Sequence, residues 1–137
     1  TTAQGADHTV GNFPTFNSTG VSVADLVKES FELQVLCATN DSLGMCLFGR
    51  SVSNANQQMM VDSINDALGT DLDVGFYVRL GFETLQLEHQ FNLDAGFGES
   101  DNALPTFFNT EPLPPTNKTS RLQAGDVTPV MNKFLQG

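Results

Sequence analysis

Cations are scarce in this chain: its 137 residues carry 6 Lys and Arg against 16 Asp and Glu, a net charge of −10. A phosphate backbone would be repelled, which argues against a nucleic-acid partner. Long hydrophobic runs are missing too. No apolar stretch approaches the roughly 20 residues that a membrane helix needs, so no membrane partner is expected. No N-terminal stretch has the basic-then-apolar form of a leader, and the chain does not start with Met. The expectation is a processed chain or a part of something longer. The acids are dispersed and read as a solvated surface. There is no internal repeat and no low-complexity tract. With 39% hydrophobic residues, residues 1–137 suffice for one domain with a modest core.

Cysteine is nearly absent as well, with only Cys37 and Cys46. One reading joins them as a disulfide closing a short loop. The sequons Asn17-Ser18-Thr19, Asn40-Asp41-Ser42 and Asn117-Lys118-Thr119 fit such a secreted context. The other keeps both thiols reduced, one as a ligand and one as an ordinary buried residue.

What is present is mainly helical pattern. Ser22 is placed to cap a helix over residues 22–38, with Val23, Leu26, Val27, Phe31 and Val35 at helical spacing; Thr39-Asn40-Asp41 is expected to end it. A second helix is expected over 53–68, capped by Ser53 or Asn54, with Met59, Met60, Ile64, Ala67 and Leu68 as its apolar side and Gly69 as its stop. Residues 72–95 are apolar on several sides, which predicts a helix central in its bundle. Gly75 and Gly81 inside it predict close packing against another element. From residue 97, Pro105, Pro112, Pro114 and Pro115 break any regular element, and Phe97, Leu104, Phe107 and Phe108 are expected to pin the segment onto the helices. Residues 127–135 suit a short last helix. The fold class expected is mainly α, an irregular helical domain with a long Pro-rich wrapping segment.

The stretch Asp41-Ser42-Leu43-Gly44-Met45-Cys46 is the most chemical part of the chain. It places an anion and a thiol five positions apart around a glycine that lets backbone approach a ligand. A thiolate is a soft metal ligand, and a carboxylate accepts hydrogen bonds from a polar cofactor.

Continued into Leu47-Phe48, this stretch resembles the Asp-x-x-Gly-x-Cys motif of the tungsten-dependent aldehyde:ferredoxin oxidoreductases. Leu87-Glu88-His89-Gln90-Phe91-Asn92-Leu93-Asp94-Ala95-Gly96-Phe97 resembles that family's Leu-Glu-x-x-Phe-Asn-x-x-x-Gly-Phe segment. Asp101-Asn102-Ala103-Leu104-Pro105-Thr106-Phe107-Phe108 resembles its Asp-x-Leu-Pro-x-Arg-Phe region, with Phe107 near where the family has Arg, and Glu111-Pro112-Leu113-Pro114 follows in order. Gly5-Ala6-Asp7-His8 resembles a further segment. The matches keep family order over about four fifths of the chain, but they cover only the C-terminal part of such an enzyme. The pterin-binding N-terminal domain and the Cys-x-x-Cys-x-x-x-Cys motif have no counterpart here.

The resemblance implies a role for each matched residue. Cys46 would be the fourth ligand of a 4Fe-4S cluster, against the plainer reading of a buried or disulfide-bonded cysteine. Asp41 would accept hydrogen bonds from a bis-pterin carrying tungsten or molybdenum, against the plainer reading of a helix-ending Asp. Leu43 and Gly44 would shape that contact. His8 would lie near the metal and move a proton or orient substrate. His89, at a variable position, is assigned structure only, and Cys37 is expected in the core. The implied activity is oxidation of an aldehyde to a carboxylic acid, with electrons leaving through the cluster to ferredoxin. The remaining ligands would come from the N-terminal part of the enzyme, in the cytoplasm. This chain alone would then be incomplete and inactive. The alternative is a secreted acidic binding or structural module with a Cys37–Cys46 disulfide.

Overall fold

The computed structural model describes residues 9–10 and 16–135. Among them are six α-helices: α1 Val23–Ser42, α2 Arg50–Ala55, α3 Gln57–Leu68, α4 Phe76–Asp94, α5 Phe107–Thr110 and α6 Ala124–Leu135. Two 3₁₀ turns, Leu47–Gly49 and Glu99–Asn102, lie between them. The described residues contain one isolated antiparallel bridge, Leu113 with Lys118, and the fold is mainly α as expected.

The start of α1 follows from Ser22. Its hydroxyl accepts from the Asp25 backbone N–H at 3.1 Å and donates to the Asp25 carboxylate at 2.6 Å, which satisfies one of the helix's orphan donors. The end of α1 lies four residues past the expected stop. Thr39 and Asn40 suit a helix end because their side chains compete with the backbone. Here both are buried and their polar atoms are bonded within the fold. The helix therefore runs through Asp41, which sits in its last turn rather than after it.

The core is built where α1 meets α4. Phe31, Val35, Ala38 and Leu85 form one buried cluster, with Phe82 and, from α6, Met131 packed against it. Phe31 and Phe82 meet edge to face with ring centroids 6.3 Å apart, a favoured aromatic geometry. Gly81 lies at the closest approach. A Cβ there would strike the Val35 carbonyl oxygen and the Thr39 hydroxyl, and would stand 2.9 Å from the Val35 carbonyl carbon. The expected tight packing at Gly81 is thus present. Gly75 differs: it caps α4 at its start, beneath the Asp73–Arg79 ion pair.

Further expectations change. The stretch read as one helix over 53–68 is two, broken at Asn56, and Ser53 is buried inside α2 rather than capping anything. In α3, Val61 is the buried residue, while Met59 and Leu68 are exposed. The helix read as central in a bundle buries only Tyr77, Gly81 and Leu85, and leaves Val78, Leu87, Phe91 and Leu93 exposed. The wrapping segment is held by polar contacts rather than by its phenylalanines. Arg121 donates to the carbonyls of Val21 and Ser18, and Asn109 donates to those of Ser120 and Leu122. Phe97, Phe107 and Phe108 are exposed, the last two stacked on each other at 4.3 Å.

Candidate functional site

The Asp41–Cys46 turn is produced by the way α1 stops. The Met45 N–H reaches the Asn40 carbonyl at 2.8 Å and the Gly44 N–H reaches that of Asp41 at 3.0 Å, the paired bonds of a Schellman motif. That motif needs a left-handed residue after the helix, and Gly44 has φ +66°. The same closure recurs at the end of α4. There Phe97 N–H bonds to Asn92 and Gly96 N–H to Leu93, both at 3.0 Å, with Gly96 at φ +92°. The glycines of two family-like segments thus occupy equivalent helix-stop positions. Nothing lies within 4 Å of the place a Gly44 Cβ would take, so only backbone strain opposes a side chain. Gly44→Ala is expected to cost about 1 kcal/mol in denaturant unfolding, and Gly44→Asn less.

After the stop, the chain turns to extended backbone at Cys46, φ −64° and ψ 133°, and enters the first 3₁₀ turn. Asp41 and Cys46 are exposed, Leu43 is partly buried as the C-terminal cap, and Phe48 beyond Cys46 is almost fully exposed at 93%. His8 lies outside the described residues. Cys37 is buried in α1 as expected. Cys37 and Cys46 are not joined in a disulfide, and Asn40 of the second sequon is 3% exposed and hydrogen-bonded. The Cys37–Cys46 disulfide of the alternative reading is therefore corrected.

The turn is anchored by a buried polar network that the sequence did not reveal. Asn40 precedes Asp41, and its amide donates to the Leu36 carbonyl at 2.7 Å and to Asn54 at 2.8 Å. Its oxygen accepts from the Ser53 hydroxyl and from Tyr77 Oη, the latter at 3.1 Å. Tyr77 is fully buried, and the Thr39 hydroxyl lies 2.8 Å from its carbonyl oxygen. Side chains of α1, α2 and α4 thus converge on the residue that closes the Schellman motif. Satisfied buried networks of this kind hold one geometry firmly, because each lost partner strands another polar group.

The α4 face beside the turn carries Thr84 and Glu88. Ser42 and Thr84 hydroxyls are 3.2 Å apart. Burial, and then the charge of Asp41, hold the Glu88 carboxyl above the usual carboxylate range. Two matched segments, far apart in sequence, therefore share one surface. His89, next to Glu88, is partly buried on the same helix.

Among the described residues no three His, Cys, Asp or Glu gather as a metal-binding set. The donor chemistry at the turn fits a share of a cofactor site. Cys46 offers one exposed soft sulfur, suited to iron, and Asp41 offers one exposed hydrogen-bond acceptor.

Comparison with known proteins identifies the family. The family model described as aldehyde ferredoxin oxidoreductase, domains 2 and 3, matches residues 1–136, and the chain belongs to that family. A tungsten-containing aldehyde ferredoxin oxidoreductase of Pyrococcus furiosus is 36% identical over 91 residues, covering 66% of this chain and 15% of that protein. The enzyme of the same name from Thermococcus kodakarensis is 36% identical over 89 residues, covering 64% of this chain and 14% of its own length. That from Pyrococcus horikoshii is 34% identical over 89 residues with the same coverage. The chain thus spans about 15% of the length of the curated relatives it matches. No solved structure matches it.

Proposed function

We propose that this chain supplies one wall of the cofactor site of an aldehyde-oxidising enzyme. The reaction would convert an aldehyde to a carboxylic acid, with water as the source of oxygen and ferredoxin as electron acceptor. When bound, a tungsten or molybdenum bis-pterin with a 4Fe-4S cluster supplies the redox chemistry and the path for single electrons. Cys46 contributes one cluster ligand. Asp41 accepts hydrogen bonds from the pterin rings, with Leu43 and Gly44 shaping the backbone beside them. His8 orients substrate or holds a proton near the metal.

The observation that carries this reading is the turn, closed by paired backbone bonds, that leaves Asp41 and Cys46 both exposed, with Asp41 beside Glu88 of α4. A further support is apolar. Phe48, two residues past Cys46, and Leu87 and Phe91 of α4 stand 93%, 73% and 72% exposed, more than a self-contained domain would leave in water. Their cover would be the remaining part of the enzyme, which supplies the other cluster ligands and the second wall. No helix among the described residues is long and apolar enough to cross a membrane, and a cytoplasmic location is part of the proposal.

Asp41→Ala in the complete enzyme tests the pterin contact. The purified variant is expected to carry markedly less pterin and tungsten than the parent at unchanged helix content, with Asp41→Asn in between. Full pterin and metal occupancy in Asp41→Ala would remove Asp41 from the site.

A further inference from the structure

We infer that Tyr77 is a positioning residue for the segment that carries Cys46, closing its two ends into a clasp with Asn40 and Ser53, an inference that rests on the reading of Cys46 as a cluster ligand. No residue from 41 to 52 is buried, so the segment has no core side chain of its own. The buried residues that flank it are Asn40, near the end of α1, and Ser53, in α2. These two are bonded to each other, with the Ser53 hydroxyl donating to the Asn40 side-chain oxygen. Asn54 extends the closure by accepting from the Asn40 amide at 2.8 Å. From α4, Tyr77 Oη stands 3.1 Å from the Asn40 oxygen and 3.2 Å from that of Asn54. Its one proton can serve either oxygen, so it bridges both ends of the segment.

The Asn40 amide is used to capacity. Its two N–H groups go to the Leu36 carbonyl and to Asn54, and its oxygen accepts from Ser53 and Tyr77. Its backbone carbonyl takes the Met45 N–H at 2.8 Å, directly before Cys46, and the Cys46 carbonyl takes the Gly49 N–H at 2.8 Å. Asn40 therefore fixes both the closure of the segment and the peptide that leads into the cysteine. Stability alone does not call for these groups, because an apolar set of the same shape can be nearly as stable. What a fully satisfied polar network adds is a single arrangement. A metal ligand needs that, since it works only when held within about 0.5 Å of its place.

Two readouts on the complete enzyme, loaded with its cofactors, test this. The variants are Tyr77→Phe, which keeps the ring and loses the hydroxyl, and Ser53→Ala. Val61→Ala is the reference, because Val61 is as fully buried as Tyr77 but lies in α3, outside the network, and its loss lowers stability without touching the clasp. Hydrogen exchange at the backbone amides of residues 44–49 is expected to quicken about tenfold in Tyr77→Phe and Ser53→Ala, and to stay within about twofold of the parent in Val61→Ala. Unchanged exchange in both clasp variants overturns the clasp, and so does equal quickening in Val61→Ala. The second readout is the iron content and the electron paramagnetic resonance spectrum of the reduced cluster. Shifted g values or lost iron are expected in Tyr77→Phe, and neither in Val61→Ala. Parent-like iron and g values beside quickened exchange would overturn the positioning role and leave the clasp as a structural feature. If Cys46→Ser keeps its iron, the reading of Cys46 fails, while the exchange result still judges the clasp by itself. Should Tyr77→Phe fail to assemble, Ser53→Ala carries both comparisons.

Discussion

Gly81→Ala is expected to destabilise this domain by about 2–3 kcal/mol, although alanine is the better helix former by roughly 1 kcal/mol. The sign is decided by what the methyl group meets. Val35 presents a backbone carbonyl there, which moves only if α1 moves. Thr39, the other neighbour, has its hydroxyl shared between the carbonyls of Val35 and Tyr77, so displacing it disturbs a buried hydrogen bond worth about 1 kcal/mol. The two helices must separate, and they carry the core cluster and the Ser42–Thr84 contact between them. Thermal unfolding should fall by about 10 °C for a chain of this size. Gly98→Ala is the matched control, since nothing lies within 4 Å of its missing Cβ, and it should stay within about 0.5 kcal/mol of the parent. A Gly81→Ala protein as stable as its parent would mean that α1 and α4 do not approach as described.

How far this was legible in the sequence depends on whether a residue's role is local. Ser22 as a cap, Gly69 as a stop, and Gly81 as a contact point are properties of short windows, and the structure holds each of them. Asn40 was misread for the opposite reason. An Asn near a helix end ordinarily breaks it, and only partners 13, 14 and 37 residues away turn this one into a buried hub. The exposure of Leu87 and Phe91 was equally invisible, because an apolar stripe does not announce whether its cover lies in the same chain. Of the candidate site, Asp41, Leu43, Gly44 and Cys46 were found by motif and lie on one turn. Glu88 sat inside a matched segment without being singled out, since its tie to Asp41 exists only once α1 and α4 pack.

Cys46→Ser has the largest expected effect. A serine oxygen is a poor substitute for a thiolate on iron, and Cys46 stands exposed on a turn with no packing role that would confuse the result. Cys37→Ser makes the contrast. Cys37 is buried in the α1 core, so its replacement costs stability through a buried polar atom while leaving the proposed ligand set untouched. Both variants change one sulfur to one oxygen, nine residues apart in sequence.

The deciding measurement is the iron content of these two variants in the complete enzyme, read with the visible absorption of the cluster. Cys46→Ser is predicted to lose the iron and the absorption, while Cys37→Ser keeps both at a lower melting temperature. Equal iron in the two variants would contradict the assignment of Cys46, and with it the claim that the Asp41–Cys46 turn forms a wall of the cofactor site.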